Sequence, residues 1–232
     1  MGGTRSETQF SLATVIDDRQ PLVVGCVHVA ETRRSVVGST REVRRLETRA
    51  RLFDAALAEI SSSGLAGADV TAIATAAGVV RGTFYFHFPT KEHVLVELER
   101  NEEAKIVADL VARRAESDDL ESVLNSLVRH VLDAEVRLGT KVFRDMLGLH
   151  FTSTRPVEDE LAEHPLAVFL VDLINEAQQG GQVPSDADAS ELGVFFLTGL
   201  FALLAIGAHK SSSAGEALSR YVTTIVKGME KR

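Results

Sequence analysis

Residues 69–92, DVTAIATAAGVVRGTFYFHFPTKE, constrain the fold of this chain more than any other stretch. Asp69 stands where its carboxylate can accept from the first-turn amides of a short helix beginning at Val70. Val70, Ile73, Ala74 and Ala77 recur at helical spacing and form that helix's inward face. Gly78 permits the tight turn that a pair of small helices needs. A second short helix follows, Pro89 stops it, and a third opens at Thr90-Lys91. This is the order of a helix-turn-helix, which implies contact with duplex DNA.

On a wheel of about 100° per residue, Phe84 and Phe88 fall together and face the core. Gly82, Thr83 and Phe86 point away, with Tyr85 and His87 on the two shoulders. Each outward residue suits a major groove. Gly82 lets backbone approach base edges, Thr83 can hydrogen-bond or touch a thymine methyl, and Phe86 offers thymine methyls an apolar surface. Arg81 can fork onto guanine O6 and N7. Tyr85 and His87 sit where phosphate chains would run. Thr90 as a cap, with Lys91 in the next first turn, makes a helix start able to clamp a phosphate. The competing reading of the three neighbouring aromatics is a patch covered by the rest of the protein.

These residues resemble the DNA-binding signature of the tetracycline-repressor (TetR) family. VTAIATAAGVVRGTFYFHFPTKE follows that family's turn, its Arg-Gly-Thr-apolar-Tyr helix and its Phe-Pro-Ser/Thr-Lys-Glu helix start, and the similarity extends from Arg49 to Leu98. The resemblance implies base contacts from Arg81, Thr83 and Phe86. Asp69, Tyr85, His87 and Lys91 would hold phosphates. Val80 departs from the pattern, which usually has serine or another capping residue there. Valine cannot cap, so the helix start is weaker by about 1 kcal/mol and a serine–phosphate contact is lost.

Charge is divided along the chain. Residues 1–100 carry 12 Lys and Arg against 12 Asp and Glu, and residues 101–232 carry 13 against 21, so the whole net charge of −8 lies in the second part. A neutral head with clustered arginines on an acidic body suits a protein presenting one end to DNA. Cys26 is the only cysteine, which rules out an intrachain disulfide and points to a reducing, cytoplasmic setting. Residues 1–40 lack a sustained helical period and read as a disordered extension. Residues 22–29 are a marginal strand within it, and Arg33, Arg34, Arg41, Arg44 and Arg45 a potential basic arm. The apolar run 21–30 follows Asp17-Asp18-Arg19 instead of a basic start, unlike a secretory leader.

An apolar stripe of Leu46, Ala50, Phe53, Leu57 and Ile60 predicts a helix over about 41–62, ended by Gly64. Beyond Thr90, spacing predicts helices to about Arg114 and over 120–138 and 141–151. A helix over 157–179, broken or kinked at Pro165, and final helices over about 187–209 and 214–230 complete the chain. Residues 192–209, LGVFFLTGLFALLAIGAH, are apolar on every side. Such a helix packs its own domain on one face and something else on another; a membrane span is the competing reading. By resemblance, the last two helices form a four-helix dimer interface, with Phe201, Leu204, Tyr221 and Ile225 as its candidates. A recognition helix spanning only roughly 10 Å also needs a second copy, with half-sites about 34–36 Å apart.

The expected architecture is all-α. It comprises an extension over 1–40, a helix-turn-helix head over 41–91, and a ligand-binding and dimerisation domain over 92–232. In such a family the middle helices enclose a pocket for a small-molecule effector. Phe143, Met146, His150, Leu173 and Phe195 are its candidate lining, chosen for size and inward position. No metal site, cofactor or catalytic motif is expected, and Cys26-x-His28 is too sparse to be one. The reading is a homodimeric repressor of a palindromic DNA operator. The alternative is a DNA-binding dimer regulated without a small ligand.

Overall fold

The computed structural model describes residues 40–114, 119–161, 164–207 and 214–229. Among them are nine α-helices, one 3-10 turn and no strand. The extension, its basic pair Arg33-Arg34, residues 22–29 and Cys26-x-His28 lie outside the described residues.

The first three helices make the head: α1 (Thr40–Gly67), α2 (Val70–Ala76) and α3 (Arg81–His87). Asp69 caps α2 by accepting from Thr71 N at 2.8 Å, and Gly78 turns the chain with φ +70°. A small core of Leu52, Ala56, Ile73, Ala77, Phe84, Phe88 and Val94 holds these helices to the start of α4 (Lys91–Arg113). The buried line on α1 is Leu52, Ala56 and Ile60, with Phe53 and Leu57 beside it. Leu46 and Ala50 belong to the expected stripe but are exposed, because the first turns of α1 run past the head core.

Helix α1 also reaches five residues further than predicted, to Gly67, with a non-helical joint at Gly64 (φ +76°). The joint brings Leu65 N to Asp145 Oδ2 at 2.6 Å, and Lys141 Nζ donates to Ser62 O at 2.6 Å. Both partners lie on α6 (Thr140–Gly148), so the head meets the body through α1 and α6 as well as through α4.

The body core runs through α4, α5 (Leu120–Leu138), α6, α7 (Pro165–Gln179), α8 (Ala189–Ala205) and α9 (Ala214–Met229). Asp119 caps α5 through Ser122 N at 2.7 Å, and Asp188 caps α8 through Ser190 N at 2.8 Å. Pro165 breaks no helix: it opens α7 at the first turn, where its missing N–H costs nothing. The described residues ahead of it from 157, expected to be helical, form no α-helix. Helix α8 is 17 residues long, and among the described residues no helix is long and apolar enough to cross a membrane.

Candidate nucleic-acid interface

Helix α3 shows why seven residues suffice to define a surface. Phe84 is fully buried and Phe88 1% exposed, whereas Phe86 is 73% exposed and Tyr85 42%. The inward rings anchor the helix, 5.8 Å apart between centroids, and the outward ones stand on it. Gly82 has no atom of another element within 4 Å of where a Cβ would stand, so backbone is open to an incoming groove. The covered-patch reading fails for Tyr85 and Phe86, and only half-buried His87 partly follows it.

Val80 precedes α3 in extended conformation, makes no side-chain cap bond and is 75% exposed. Arg81 offsets some of that loss. Its guanidinium reaches back to Thr71 Oγ1 and forward to Tyr85 Oη, each at 3.2 Å, tying α2 to α3. The arginine expected at guanine is thus also a brace across the turn, and its exposed fork keeps three further N–H donors.

Lys91 is also engaged. Its ammonium donates to Ala66 O at 3.0 Å and Ala68 O at 3.3 Å, satisfying carbonyls at the end of α1. Thr90 occupies the cap position of α4 but makes no cap bond, because its hydroxyl is 3.0 Å from His93 Nδ1 while His93 Nε2 donates to Glu158 at 2.8 Å. The expectation of a threonine cap is corrected on that ground. First-turn amides of α4 are consequently left without a side-chain partner from Thr90.

Sequence reasoning missed Arg49. It donates from α1 to the carbonyl of His87 at the end of α3, pairs with Glu97 of α4, and lies over the Phe88 ring at 4.1 Å from its centroid. One side chain thereby fixes the recognition helix against both of its long neighbours. Arg49 and Arg45 also help partial burial to hold the His87 imidazole below its ordinary range.

The body candidates separate. Phe143 and Met146 are buried and line a void of about 20 Å³ with Ile106, Val131, Leu166 and Phe201, room for roughly one water molecule. Leu173 is buried in the core but does not line that void. His150 packs on Phe201 at 4.8 Å between ring centroids and donates to Glu99, so it is a hydrogen-bonded core histidine beside the void. Phe195 is corrected: it is 58% exposed and points outward from α8. Phe201 and Leu204 are corrected too, since both are sealed inside their own chain, at 2% and 0% exposure, and offer nothing to a second subunit. Tyr221 and Ile225 are half-buried on α9.

A buried polar cluster was not foreseen. Glu99 and Glu103 on α4 are 1% and 3% exposed, and His164 is completely buried. His164 Nδ1 donates to Glu103 at 3.1 Å and Nε2 to Asp159 at 2.9 Å. Arg155 bridges Glu99 and Asp159, and Arg100 donates to Asp159 at 2.8 Å. Among the described residues, Glu99, Asp159 and His164 form a group that could hold a metal ion.

The outward face of a short helix, set on two aromatic anchors behind a capped helix and glycine turn, is the arrangement of a helix-turn-helix. Residues 52–98 match the model of the bacterial regulatory proteins of the tetR family. Over that segment the chain is similar to the family's DNA-binding head. It is 35% identical over 91 residues to the HTH-type transcriptional regulator AcrR of Shigella flexneri, a match spanning 39% of this chain but only 42% of that relative. The HTH-type transcriptional repressor KstR of Rhodococcus jostii is 28% identical over 177 residues, 66% of this chain and 84% of KstR. The fold is that of Thermus thermophilus FadR, a TetR-family repressor solved with lauroyl-CoA: TM-score 0.65, 22% identity, covering 79% of this chain and 96% of FadR.

Proposed function

We propose that the chain is a cytoplasmic, homodimeric transcriptional repressor that binds a two-fold DNA operator and is released by a small molecule entering the body. The observation that carries the reading is the opposition of buried Phe84 and Phe88 to exposed Phe86 on a seven-residue helix. Gly82, Thr83 and Phe86 face the bases, with Arg81 joining them. Asp69, Tyr85, His87 and Lys91 surround the flanking phosphates, with Asp69 acting through the α2 amides that it orients. Arginines 41, 44, 45 and 51 along the exposed start of α1 extend the basic edge.

The homodimer rests on α8. Phe195, Thr198, Ala202 and Ile206 follow one another at helical spacing, and Phe195 and Ile206 are 58% and 76% exposed. That line, with the edge of α9 around Ile225, is the surface a second copy would cover.

Effector entry requires the void beside Phe143 and Met146 to open, because about 20 Å³ holds no organic molecule. Met146 and Phe201 would move apart, and α4, which lines the same void through Glu99, Glu103 and Ile106, would carry the change toward the head. A hundredfold loss of operator affinity needs a preference of about 2.7 kcal/mol for the released state. Recovery of duplexes from a random-sequence pool tests the reading. A two-fold motif is expected; a protein that retains no sequence preference contradicts it. Screening metabolite extracts for release of that motif tests the effector.

A further inference from the structure

The DNA reading leaves one group of side chains without a task. Glu99 and Glu103 occupy successive turns of α4, His150 follows α6, Arg155 and Asp159 lie in the chain before α7, and His164 precedes Pro165. One oxygen each from Glu99 and Asp159 and one nitrogen from His164 lie within 4.8 Å of one another. The imidazoles of His150 and His164 are 6.2 Å apart between ring centroids. We propose that this cluster binds one divalent transition-metal ion through His164 Nε2, Asp159 and Glu99, with solvent completing the coordination.

Four features lead there. The donor set of one imidazole and two carboxylates suits a first-row ion such as zinc or cobalt, whereas magnesium and calcium favour oxygen donors throughout. Glu103 accepts from His164 Nδ1 at 3.1 and 3.2 Å, the outer carboxylate that orients a ligating histidine and turns Nε2 toward Asp159. The ligands are buried: the Glu99, Asp159 and His164 side chains are 2%, 3% and 0% exposed, so their charge demands a cation close by.

The fourth feature is the cation now standing there. Arg155 Nη2 lies 2.5 Å from Asp159 Oδ2, 3.2 Å from Glu99 Oε2 and 3.3 Å from His164 Nε2. Its fit is poor. Nη1 is buried without a hydrogen-bond partner, and Nη2 faces a nitrogen that itself donates to Asp159. A divalent ion would satisfy both carboxylates and the His164 imidazole together. His164 Nε2 would give its proton to solvent, and Arg155, 12% exposed at the edge of the cluster, would swing outward.

The test uses the full-length protein, stripped with chelator and titrated with Co²⁺ and then Zn²⁺. One ion per chain is expected, with a visible Co²⁺ band of nitrogen–oxygen coordination and a raised melting temperature. D159N and H164Q should each weaken binding at least about 100-fold and E103Q about 10–100-fold. R155Q should tighten it about tenfold, which a merely structural arginine would not do. H130Q, which alters a histidine of α5 bonded to Ser126 O, should leave binding unchanged. Circular dichroism separates loss of the site from loss of the fold, and near-isosteric D159N decides if H164Q does not fold. Failure to bind either ion saturably overturns the proposal, as does binding that survives D159N or is weakened by R155Q. None of these readouts involves DNA, so the outcome is independent of the repressor reading.

Discussion

Phe84 and Phe86 sit two residues apart on one short helix and meet opposite environments. F84A should destabilise the protein by about 3–5 kcal/mol, measured by denaturant unfolding, because it empties the head core. F86A should leave stability unchanged and cost at least tenfold in operator affinity. His87 supplies a pH test. Its imidazole is held low by partial burial, then by Arg49 and Arg45, so it is largely neutral near pH 7 in the free protein. A phosphate beside it favours the protonated form, so DNA binding takes up a proton and operator affinity should rise as pH falls from 8 to 6. H87Q should flatten that slope; an unchanged slope would remove His87 from the contacts. The fate of these aromatics was legible because four residues separate the two buried rings. Arg49 was not legible, since its partners lie 38 and 48 positions away and no local pattern points to them.

At the scale of elements, termini were readable where a capping side chain marked them and misread where the mark was ambiguous. Asp69 announced its helix, while Pro165 fits both a kink and a first turn and only tertiary packing decides. Val80 is the uncapped start that sequence indicated, so V80S should add about 1 kcal/mol of stability, read from thermal melts. Helix α8 was misread in detail because it has almost no polar face to set its phase. Phe195 therefore passed for a pocket residue and Phe201 for an interface residue. The position of α9 against it is set by Tyr221, whose hydroxyl donates to Phe196 O at 2.6 Å. A Cβ at Gly199 would stand 3.0 Å from two carbons of that ring, so G199A should loosen the pair. Burial pushes the Tyr221 phenol up to about 12. A folded value above the unfolded one near 10 means this contribution is intact below pH 10 and is lost as pH rises from 10 to 12. Alkaline unfolding should accordingly be less steep in Y221F.

The whole molecule divides its labour as its charge does. The described head carries arginines along α1 and the recognition helix, and the body carries the acidic excess. The all-helical plan could be read from apolar spacing. The buried Glu99–Glu103–His164 cluster could not, because glutamates inside a helix default to the solvent face and their partners come from irregular chain some 60 residues on. The link from α1 to α6 escaped notice for the same reason. Assembly is testable at this scale: F195D with I206D should yield monomers in sedimentation and abolish tight operator binding while leaving the head folded.

The central claim is that Gly82, Thr83 and Phe86 meet bases while the side chains around them hold phosphates. The most direct measurement is selection of bound duplexes from a random pool, followed by titration of the recovered motif with the wild type and F86A at several salt concentrations. The account predicts a palindrome with half-sites about one helical turn apart, bound more weakly by F86A with an unchanged salt slope. Equal binding of all duplexes by both proteins, or retention of none at low salt, would contradict it.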